Sequence, residues 1–360
     1  MIRFSQQELK RYSRQMLLPE LGQAGQEKLK KARVLVVGAG GLGCPALQYL
    51  AAAGLGTIGI IDGDEVEESN LHRQLLFSDQ DTGRNKAEAA AEKLSLINPF
   101  VKTERFPFFL TAGNAEGTVA GFDLVIDGSD NFATRYLVND ACVISGKPFI
   151  YAAMHRFELQ LSVFNLEGGP TYRCLYPEPP AAGEMPSCAE AGIIGALPGL
   201  AGTLQALEAL KIITGSGQAL SGKLLTVNCL TNERQLLDIF PCPASRNLKE
   251  ILPLHAACTA GKIPQVTSEQ LKGWISGQQA QLVDVRSRAE YEGFRLDQDE
   301  LHIPLDQLPE KLHEIGPGKR IVTVCRSGIR SKAAAALIKA ARPYQEVFSL
   351  KGGLASFLQP

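Results

Sequence analysis

The stretch "VLVVGAGGLGCPALQYL", residues 34–50, decides the fold of this chain. Branched apolar residues come first, glycines follow, and a segment rich in alanine and leucine comes last. The first part predicts a buried parallel strand and the last part a helix. Glycine permits a tight turn between them, and the N–H groups that begin the helix can bind a phosphate. The glycines of this predicted phosphate loop are Gly38, Gly40, Gly41 and Gly43.

Outward from this turn, the alternation of strand and helix continues. The segment "GTIGIID" (56–62) predicts a second strand and completes a βαβ unit. A helix is predicted from about Lys86 to Ile97, with further strands at "FDLVIDGSDN", "KPFIYAA" and "LQLSVFN". These elements predict a doubly wound, mostly parallel α/β domain with a Rossmann-like nucleotide-binding half over residues 1–240.

A second domain is predicted after a break in this pattern. Residues 241–262 are rich in proline and small side chains, which is typical of a linker. Beyond them, "AQLVDVR", "LHIPL", "RIVTVC" and "EVFSL" read as strands with helices between them. Residues 263–360 therefore form a small α/β domain of their own.

Composition narrows the possible partners. The chain has 360 residues, and its 37 basic and 38 acidic side chains leave a net charge of −1, so neither nucleic acid nor a membrane surface is expected as a partner. The longest apolar stretch, residues 191–213, contains Pro198 and Glu208 and predicts a buried or subunit-facing helix. The start has no apolar leader, and eight cysteines without one predict free thiols in a reducing cytoplasm.

Charged residues cluster in the segments around the glycine turn. Asp62 ends the second strand, where a carboxylate can bind ribose hydroxyls; alone, this is typical of an enzyme that binds NAD or another dinucleotide. The cations Arg14, Arg73 and Lys86 instead suit a triphosphate that loses pyrophosphate, because fixed positive charge stabilises the leaving group. The carboxylate of Asp130 can hold the Mg²⁺. The other polar candidates of these segments are Asp64, Asn70, Gln74 and Asn131.

With these residues in place, a family resemblance emerges. The opening stretch, together with "RYSRQMLLPELGQAGQEKL", "DGDEVEESNLHRQLLF", "GRNKAEAA" and "DGSDNFATRYLVND", resembles the ubiquitin-activating-like adenylyltransferases of molybdopterin and thiamine biosynthesis, the MoeB/ThiF type. The resemblance runs to about residue 240. It implies ATP-dependent adenylation of the C-terminal Gly-Gly carboxylate of a ubiquitin-like sulfur carrier, of the molybdopterin-synthase small subunit or thiamine sulfur carrier type.

The same resemblance implies roles for individual residues. The glycine turn and Asp62 match the ATP-binding elements of the family. Arg73, Lys86 and Asp130 match residues that handle phosphates and metal. Arg14 matches an arginine that reaches the site of the neighbouring subunit, so a homodimer is implied.

The resemblance fails at a zinc site. Family members often bind structural zinc through two Cys-x-x-Cys pairs, but here Thr171 and Ser245 replace the outer thiols and leave Cys174 and Cys242. Hydroxyls are poor substitutes for thiolates, so no zinc is expected. The alternative is rescue by another ligand, Cys258 or His255.

Another cysteine, Cys188, lies in a proline-rich stretch before the predicted apolar helix. A helix N-terminus can lower the pKa of a thiol. The position matches one at which some family members hold a cysteine able to bond the carrier covalently. A small buried residue at a helix start is the alternative reading of Cys188, and both are kept open.

The second reactive thiol is predicted in "VCRSGIRSK", residues 324–332. Cys325 lies where a strand turns into a helix, so backbone N–H groups, the helix dipole, Arg326 and Arg330 converge to stabilise a thiolate or a persulfide. A cysteine phosphatase needs arginine six positions after the cysteine, and that position is Ser331. The rest of the persulfide loop is Ser327, Gly328 and Ile329.

This last domain resembles a single-domain rhodanese through "LVDVRSRAEYEGF", "LHIPL", "VTVCRSGIRSKAAAALI" and "VFSLKGGLASF", with an altered segment at "GFRLDQDELHIP". The resemblance implies that a Cys325 persulfide, loaded by a donor such as a cysteine desulfurase, attacks the acyl-adenylate directly or through Cys188. Two alternatives stay open: a nicotinamide-binding oxidoreductase with a redox-sensing rhodanese module, and a non-catalytic scaffold that binds the carrier.

Overall fold

The computed structural model describes residues 3–177, 192–251, 263–296, 300–316, 319–326, 328–341 and 345–357. The chain divides into two compact units, Met1–Ala257 and Cys258–Pro360. The division falls inside the predicted linker. The described part of that linker nevertheless packs into the first unit, because Ser245 is buried and Ile251 lies against a core cluster of that unit.

The first unit is built on one eight-stranded sheet with the order β3-β2-β1-β4-β5-β6-β7-β8. Its first five members pair in parallel and the last three antiparallel, which confirms the mostly parallel α/β fold. The last two strands are not among the predicted elements. The strands are β1 (Arg33–Val37), β2 (Thr57–Ile61), β3 (Lys102–Phe106), β4 (Leu124–Asp127), β5 (Phe149–His155), β6 (Glu158–Phe164), β7 (Lys223–Asn228) and β8 (Arg234–Asp238).

Helices cover both faces of this sheet and bury two apolar clusters against it. The predicted helix from Lys86 to Ile97 is confirmed at those bounds, with Asn85 accepting the N–H groups of its first turn. No described helix is both long enough and apolar enough to cross a membrane. The helices are α1 (Gln6–Met16), α2 (Gly22–Lys31), α3 (Gly43–Ala53), α4 (Lys86–Ile97), α5 (Ala115–Ala120), α6 (Phe132–Ile144), α7 (Tyr172–Leu175) and α8 (Ala196–Thr214).

The second unit has a five-stranded parallel sheet in the order β11-β10-β12-β13-β9. Four of its strands coincide with predicted ones; the two-residue β9 was not predicted. Its strands are β9 (Gln265–Val266), β10 (Ala280–Asp284), β11 (Leu301–His302), β12 (Arg320–Val324) and β13 (Val347–Leu350). Its helices are α9 (Ser268–Ser276), α10 (Arg288–Gly293), α11 (Leu308–Lys311), α12 (Ile329–Ala341) and α13 (Gly353–Phe357).

Helix α8 packs directly on the start of α3, and this contact holds the glycine turn in place. A Cβ atom on Gly202 would lie 2.1 Å from the carbonyl oxygen of Leu42 and 2.6 Å from Pro45 Cγ. Pro198, one turn earlier, lies 3.1 Å from the Cβ position of Gly41. The small residues of α8 therefore let two backbones approach to contact distance.

We predict opposite effects for two glycines of α8. Gly202→Ala should lower the free energy of unfolding by roughly 2–3 kcal/mol, because the added methyl group overpacks against backbone that cannot move cheaply. Gly199→Ala is the matched control: a Cβ there meets nothing within 4 Å. It should stabilise the protein by up to about 1 kcal/mol through helix propensity. Urea unfolding of both variants measures the difference, and equal effects would contradict the packing described here.

Candidate functional site

The glycine turn after β1 is too crowded for side chains. Gly38 has a φ of +90°, which favours glycine, and its N–H donates to the carbonyl of Ile61 over 2.8 Å. A Cβ on Gly43 would lie 1.9 Å from the carbonyl oxygen of Gly38. Helix α3 therefore begins directly at the turn. Its N-terminus lies between β1 and β4, where the strand order reverses, which is where doubly wound sheets bind ligands.

Asp62 braces this turn from the end of β2. Its Oδ2 accepts the N–H of Ala39 over 2.7 Å, and its Oδ1 accepts the N–H of Asp64 over 2.8 Å. Burial raises the pKa of Asp62, while these two backbone N–H groups act in the opposite direction. Each carboxylate oxygen keeps a second lone pair, which suits a ribose hydroxyl.

Two of the predicted cations lie beside the turn. Arg73 Cγ is 3.6 Å from the Cβ position of Gly41, and the guanidinium Nη1 donates to the carbonyl of Ser69. Lys86 begins α4, is 7% exposed, and holds its Nζ 3.5 Å from Asp64 Oδ2. Neither cation is fully neutralised by these contacts, so both can stabilise phosphate oxygens.

Three buried side-chain oxygens in this region have no hydrogen-bond donor among the described residues: Gln74 Oε1, Asp127 Oδ2 and Gln205 Oε1. The Gln74 amide lies 3.7 Å from the Cβ position of Gly40, and Gln205 donates to the carbonyl of Asp127. Burial raises the pKa of Asp127. Because buried polar groups are nearly always satisfied, these acceptors indicate where a ligand or solvent supplies donors.

The loop after β4 brings in Asp130 and Asn131, both exposed. Asn131 caps α6, since its Oδ1 accepts the N–H of Thr134 over 2.9 Å. The Asp130 carboxylate makes no hydrogen bond or ion pair with any described residue. Its oxygens are hard ligands of the kind that Mg²⁺ prefers, so Asp130 fits the expected metal role.

Asn70 and Arg14, the remaining two predicted residues, do not point to a ligand-binding role within this chain's own site. The carbonyl of Asn70 accepts the N–H groups of Arg73 and Gln74, each over 3.0 Å, so Asn70 shapes the turn that carries these side chains. Arg14 lies exposed in the last turn of α1 and forms no ion pair with any described residue. Its outward position suits contact with a second copy of the chain, which stays a prediction.

In the second unit, Cys325 follows β12 and is fully buried. Its Sγ accepts the N–H groups of Gly328 and Ser331 over 3.2 and 3.3 Å. Gly328 has a φ of +91°, and the carbonyl of Cys325 accepts the N–H of Leu354 from α13. The predicted convergence of N–H groups on this sulfur is therefore present, and it has the form of a main-chain nest.

The two arginines of this loop have different surroundings. Arg326 is exposed and forms no ion pair with a described residue. Arg330 makes a bidentate ion pair with Glu290, with N–O distances of 2.6 and 2.7 Å. Glu290 therefore offsets much of the positive potential expected from Arg330. Sequence reasoning missed Glu290, because nothing in the chain pattern joins α10 to α12.

Some predicted residues lie outside the described part of the chain, namely Cys188, Ser327 and the two possible rescue ligands, His255 and Cys258. Ile329 begins α12. Sequence reasoning also missed Gln205, whose only signal was an amide within an apolar helix.

Both sites can now be set beside known proteins. Residues 12–248 match the ThiF family, which is well over half of the chain, and residues 267–360 match the rhodanese-like domain. The chain belongs to the ThiF family. It is an adenylyltransferase with sulfurtransferase activity, as are relatives that it matches over nearly its whole length.

Three relatives of this ThiF-family protein illustrate the match. The probable adenylyltransferase/sulfurtransferase MoeZ of Mycobacterium tuberculosis is 40% identical over 368 positions, covering 98% of this chain and 93% of the relative. The adenylyltransferase and sulfurtransferase MOCS3 of Mus musculus is 41% identical and covers 85% of this chain and 71% of its own. The sulfur carrier protein adenylyltransferase of Thermus thermophilus is 52% identical over 64% of this chain and 86% of its own.

Solved structures agree on the fold of the first unit. A structure of E. coli MccB with ATP superimposes with a TM-score of 0.58 at 24% identity, covering 65% of this chain and 72% of that one. A selenomethionine structure of PaaA gives a TM-score of 0.58 at 25% identity, over 66% of this chain and 76% of that one. At this identity the MccB match shows the fold alone.

Where the resemblance led us to look for a zinc site, this chain has a hydrogen-bonded cluster. Thr171 Oγ1 donates to Ser245 Oγ over 2.9 Å, and Ser245 Oγ lies 3.1 Å from Cys174 Sγ. Cys174 Sγ also accepts the N–H groups of Thr171 and Cys242 over 3.2 and 3.1 Å. The described residues contain no group of three or more His, Cys, Asp or Glu side chains that can hold a metal. Two thiols and two hydrogen-bonded hydroxyls do not fit zinc.

We predict that this hydrogen-bonded cluster joins the segment of Thr171 and Cys174 to that of Cys242 and Ser245 without a metal ion. We also predict that the four side chains keep the positions of metal ligands. The wild-type protein should carry no zinc, and a chelator should leave its thermal unfolding unchanged. The double variant Thr171→Cys/Ser245→Cys should bind about one zinc per chain, since four thiolates then converge. Metal analysis and the thiolate-to-cobalt absorption band measure this.

The control for this prediction is Thr171→Ser/Ser245→Thr, which keeps both hydroxyls and should stay free of metal. Stoichiometric zinc in the wild-type protein would show that the hydrogen-bonded cluster is not its resting state. A folded double-cysteine variant that takes up neither zinc nor cobalt would show that the metal-site geometry has been lost.

Proposed function

We propose that this protein uses Mg²⁺ and ATP to adenylate the C-terminal Gly-Gly carboxylate of a ubiquitin-like sulfur carrier, and that a Cys325 persulfide then supplies the sulfur of a thiocarboxylate. The carrier is of the molybdopterin-synthase or thiamine type. One observation carries the first step: Arg73 and Lys86 flank a glycine turn that Asp62 braces. Fixed cations at that place stabilise the pyrophosphate that leaves. The nicotinamide alternative is set aside, because residues 12–248 match the ThiF family and the relatives reported above are named adenylyltransferases.

In the first step a carrier carboxylate oxygen attacks the α-phosphorus of ATP, and the bond to pyrophosphate breaks. Asp62 orients the nucleotide through its ribose, and Arg73 and Lys86 bind phosphate oxygens as negative charge accumulates on them. Asp130 would hold the Mg²⁺, which neutralises phosphate charge when bound. The product is an acyl-adenylate, whose AMP is a far better leaving group than the oxygen of a free carboxylate.

A surface cleft of about 510 Å³ offers a path for the carrier tail. It is lined by Arg156, Phe157, Gly192, Ile193 and Ile194. Gly195, which follows Ile194, packs against the turn that carries Arg73, because a Cβ on Gly195 would lie 2.1 Å from the carbonyl oxygen of His72. A slender Gly-Gly tail in this cleft would reach the phosphates with its carboxylate.

Exposed apolar side chains beside the cleft suit a folded carrier. Phe157 and Ile194, which line the cleft, are 38% and 55% exposed, and Leu230, in the turn after β7, is 66% exposed. The preceding residue, Cys229, donates its N–H to the carbonyl of Phe157, so this turn lies beside the cleft. Apolar patches of this kind are typical of sites that bind another protein. We assign this patch to the carrier body.

In the second step the terminal sulfur of the Cys325 persulfide attacks the acyl carbon, and AMP leaves. A thiol, either Cys188 or one thiol of an external dithiol, attacks the Cys325 sulfur of the acyl disulfide between carrier and Cys325, and the thiocarboxylate leaves. The disulfide formed on Cys325 in this step is then reduced by the external dithiol, which is itself oxidised to a disulfide. A cysteine desulfurase persulfide is the upstream donor. A reducing compartment, the cytoplasm, keeps both thiols competent. Because Cys325 is fully buried, its loop has to open for loading and for transfer.

We predict that substitutions will separate the two steps. Asp130→Ala should lower carrier-dependent ATP–pyrophosphate exchange by roughly a hundredfold or more, because phosphate charge is no longer neutralised. Cys325→Ala should leave that exchange unchanged and abolish thiocarboxylate formation on the carrier, measured by mass spectrometry. Cys229→Ala, at a partly exposed thiol, is the control and should affect neither. Absence of exchange in the wild-type protein with Gly-Gly carriers would refute the proposal.

We also predict that the enzyme is a homodimer in which Arg14 serves the partner's site. Arg14→Ala and Asp130→Ala should each have strongly reduced exchange activity, yet a mixture of the two after subunit exchange should recover activity. Random pairing leaves about one site in four with both native residues, so about a quarter of wild-type activity is expected. No recovery, with mixed dimers shown by native mass spectrometry, would place Arg14 in its own subunit's site.

A further inference from the structure

Arg330, in the loop that holds Cys325, forms an ion pair with Glu290. Two N–O distances of 2.6 and 2.7 Å make it bidentate. Glu290 also accepts hydrogen bonds from the N–H and hydroxyl of Ser287, so its position on α10 is fixed. These contacts, led by Arg330, lower the pKa of Glu290 to about 2, so its negative charge is permanent at neutral pH.

A second pair nearby is also neutral overall. Asp284, at the end of β10, accepts hydrogen bonds from the guanidinium of Arg286 at 2.7 to 3.0 Å. Of the two arginines that the loop contributes, only Arg326 stays uncompensated by an ion pair with a described residue. Residues 325–331 therefore present about one net positive charge.

This charge balance matters because sulfur donors differ in charge. Thiosulfate is a dianion, whereas a persulfide on a protein cysteine carries at most one negative charge. Each uncompensated cation near Cys325 would favour the dianion more than the monoanion, since Coulomb attraction scales with the charge of the donor. A site that neutralises one of its own arginines weakens that preference.

We propose that Glu290 is a specificity-determining residue that tunes the Cys325 site away from dianionic donors and toward protein-bound persulfides. This rests on the proposed role of Cys325 as the sulfur carrier of the second unit. Glu290 touches no donor; it acts by cancelling the charge of Arg330.

Both donor reactions are nucleophilic displacements at sulfur. With thiosulfate, the Cys325 thiolate attacks the outer sulfur, the S–S bond breaks, and its electron pair leaves with sulfite. With a protein persulfide, the thiolate attacks the terminal sulfur and a cysteine thiolate leaves. Each forms the same Cys325 persulfide, which cyanide can discharge as thiocyanate, so the two rates can be compared on one enzyme.

The test replaces Glu290 by glutamine in the full-length protein. Glu290→Gln should raise kcat/KM for thiosulfate roughly three- to tenfold, because Arg330 then keeps its charge, and should change transfer from a persulfide-loaded cysteine desulfurase little. Glu292→Gln is the matched control: it removes the same charge from the same helix, at an exposed residue paired with Arg288. It should leave both rates unchanged.

Loss of the Glu290–Arg330 ion pair also loosens the loop around Cys325. The effect of charge on the reaction therefore has to be separated from the effect of easier access to the thiol. The ratio of Cys325 alkylation by anionic iodoacetate to that by neutral iodoacetamide, read on the Cys325 peptide by mass spectrometry, reports charge alone. Glu290→Gln should raise this ratio. Arg330→Gln leaves Glu290 unpaired and should lower it, which gives a second readout if the first variant unfolds.

Equal acceleration of both alkylating agents in Glu290→Gln would overturn the proposal, because the pair would then act only as a latch on the loop. An unchanged ratio in both variants would overturn it as well. None of these measurements uses ATP or a carrier, so they stand apart from the adenylation proposal. If wild-type Cys325 accepts sulfur from neither donor, the proposed function of the second unit fails instead.

Discussion

Backbone crowding between the ends of β1 and β4 is the constraint on which the first unit depends. A Cβ on Gly38 would lie 2.9 Å from the carbonyl oxygen of Gly128, and one on Gly128 would lie 2.9 Å from that of Gly38. The chain segments that leave the ends of β1 and β4 thus pass each other with no room for a side chain. This places Asp62, Asp127 and the start of α3 around one small volume. A larger residue at either glycine would push these two segments apart. The N–H groups at the start of α3 would then no longer reach a phosphate.

The second unit uses the same device for a different purpose. Gly353, in the left-handed region at φ +62°, allows α13 to approach the loop, since a Cβ there would lie 2.4 Å from the carbonyl oxygen of Cys325. Backbone N–H groups are then directed at one sulfur atom instead of a phosphate. In both units glycine lets the main chain close around one point, which is the geometry that the proposed phosphate and sulfur sites require.

Sequence patterns predicted the elements whose signal is local. The strand and turn at residues 33–43 and the helix Lys86–Ile97 follow from apolar periodicity and glycine placement. They could not predict contacts between distant segments. Gln205 reaches the end of β4 only because α8 crosses the sheet, and Glu290 meets Arg330 only when α10 and α12 pack together. Such contacts depend on how the elements pack in three dimensions. They produce no recognisable spacing of residues in a single sequence.

The two sites differ in accessibility, and the difference follows from their chemistry. Asp130 and the rim of the nucleotide site are exposed, as a site must be that admits a triphosphate and a protein tail. Cys325 is fully buried, and burial would protect the proposed persulfide from thiols and oxidants in solution. In the proposed function, joining both sites on one chain would raise the effective concentration of the sulfur relative to the adenylate. That gain matters because an acyl-adenylate hydrolyses in water, so the nucleophile has to be supplied faster than solvent can attack.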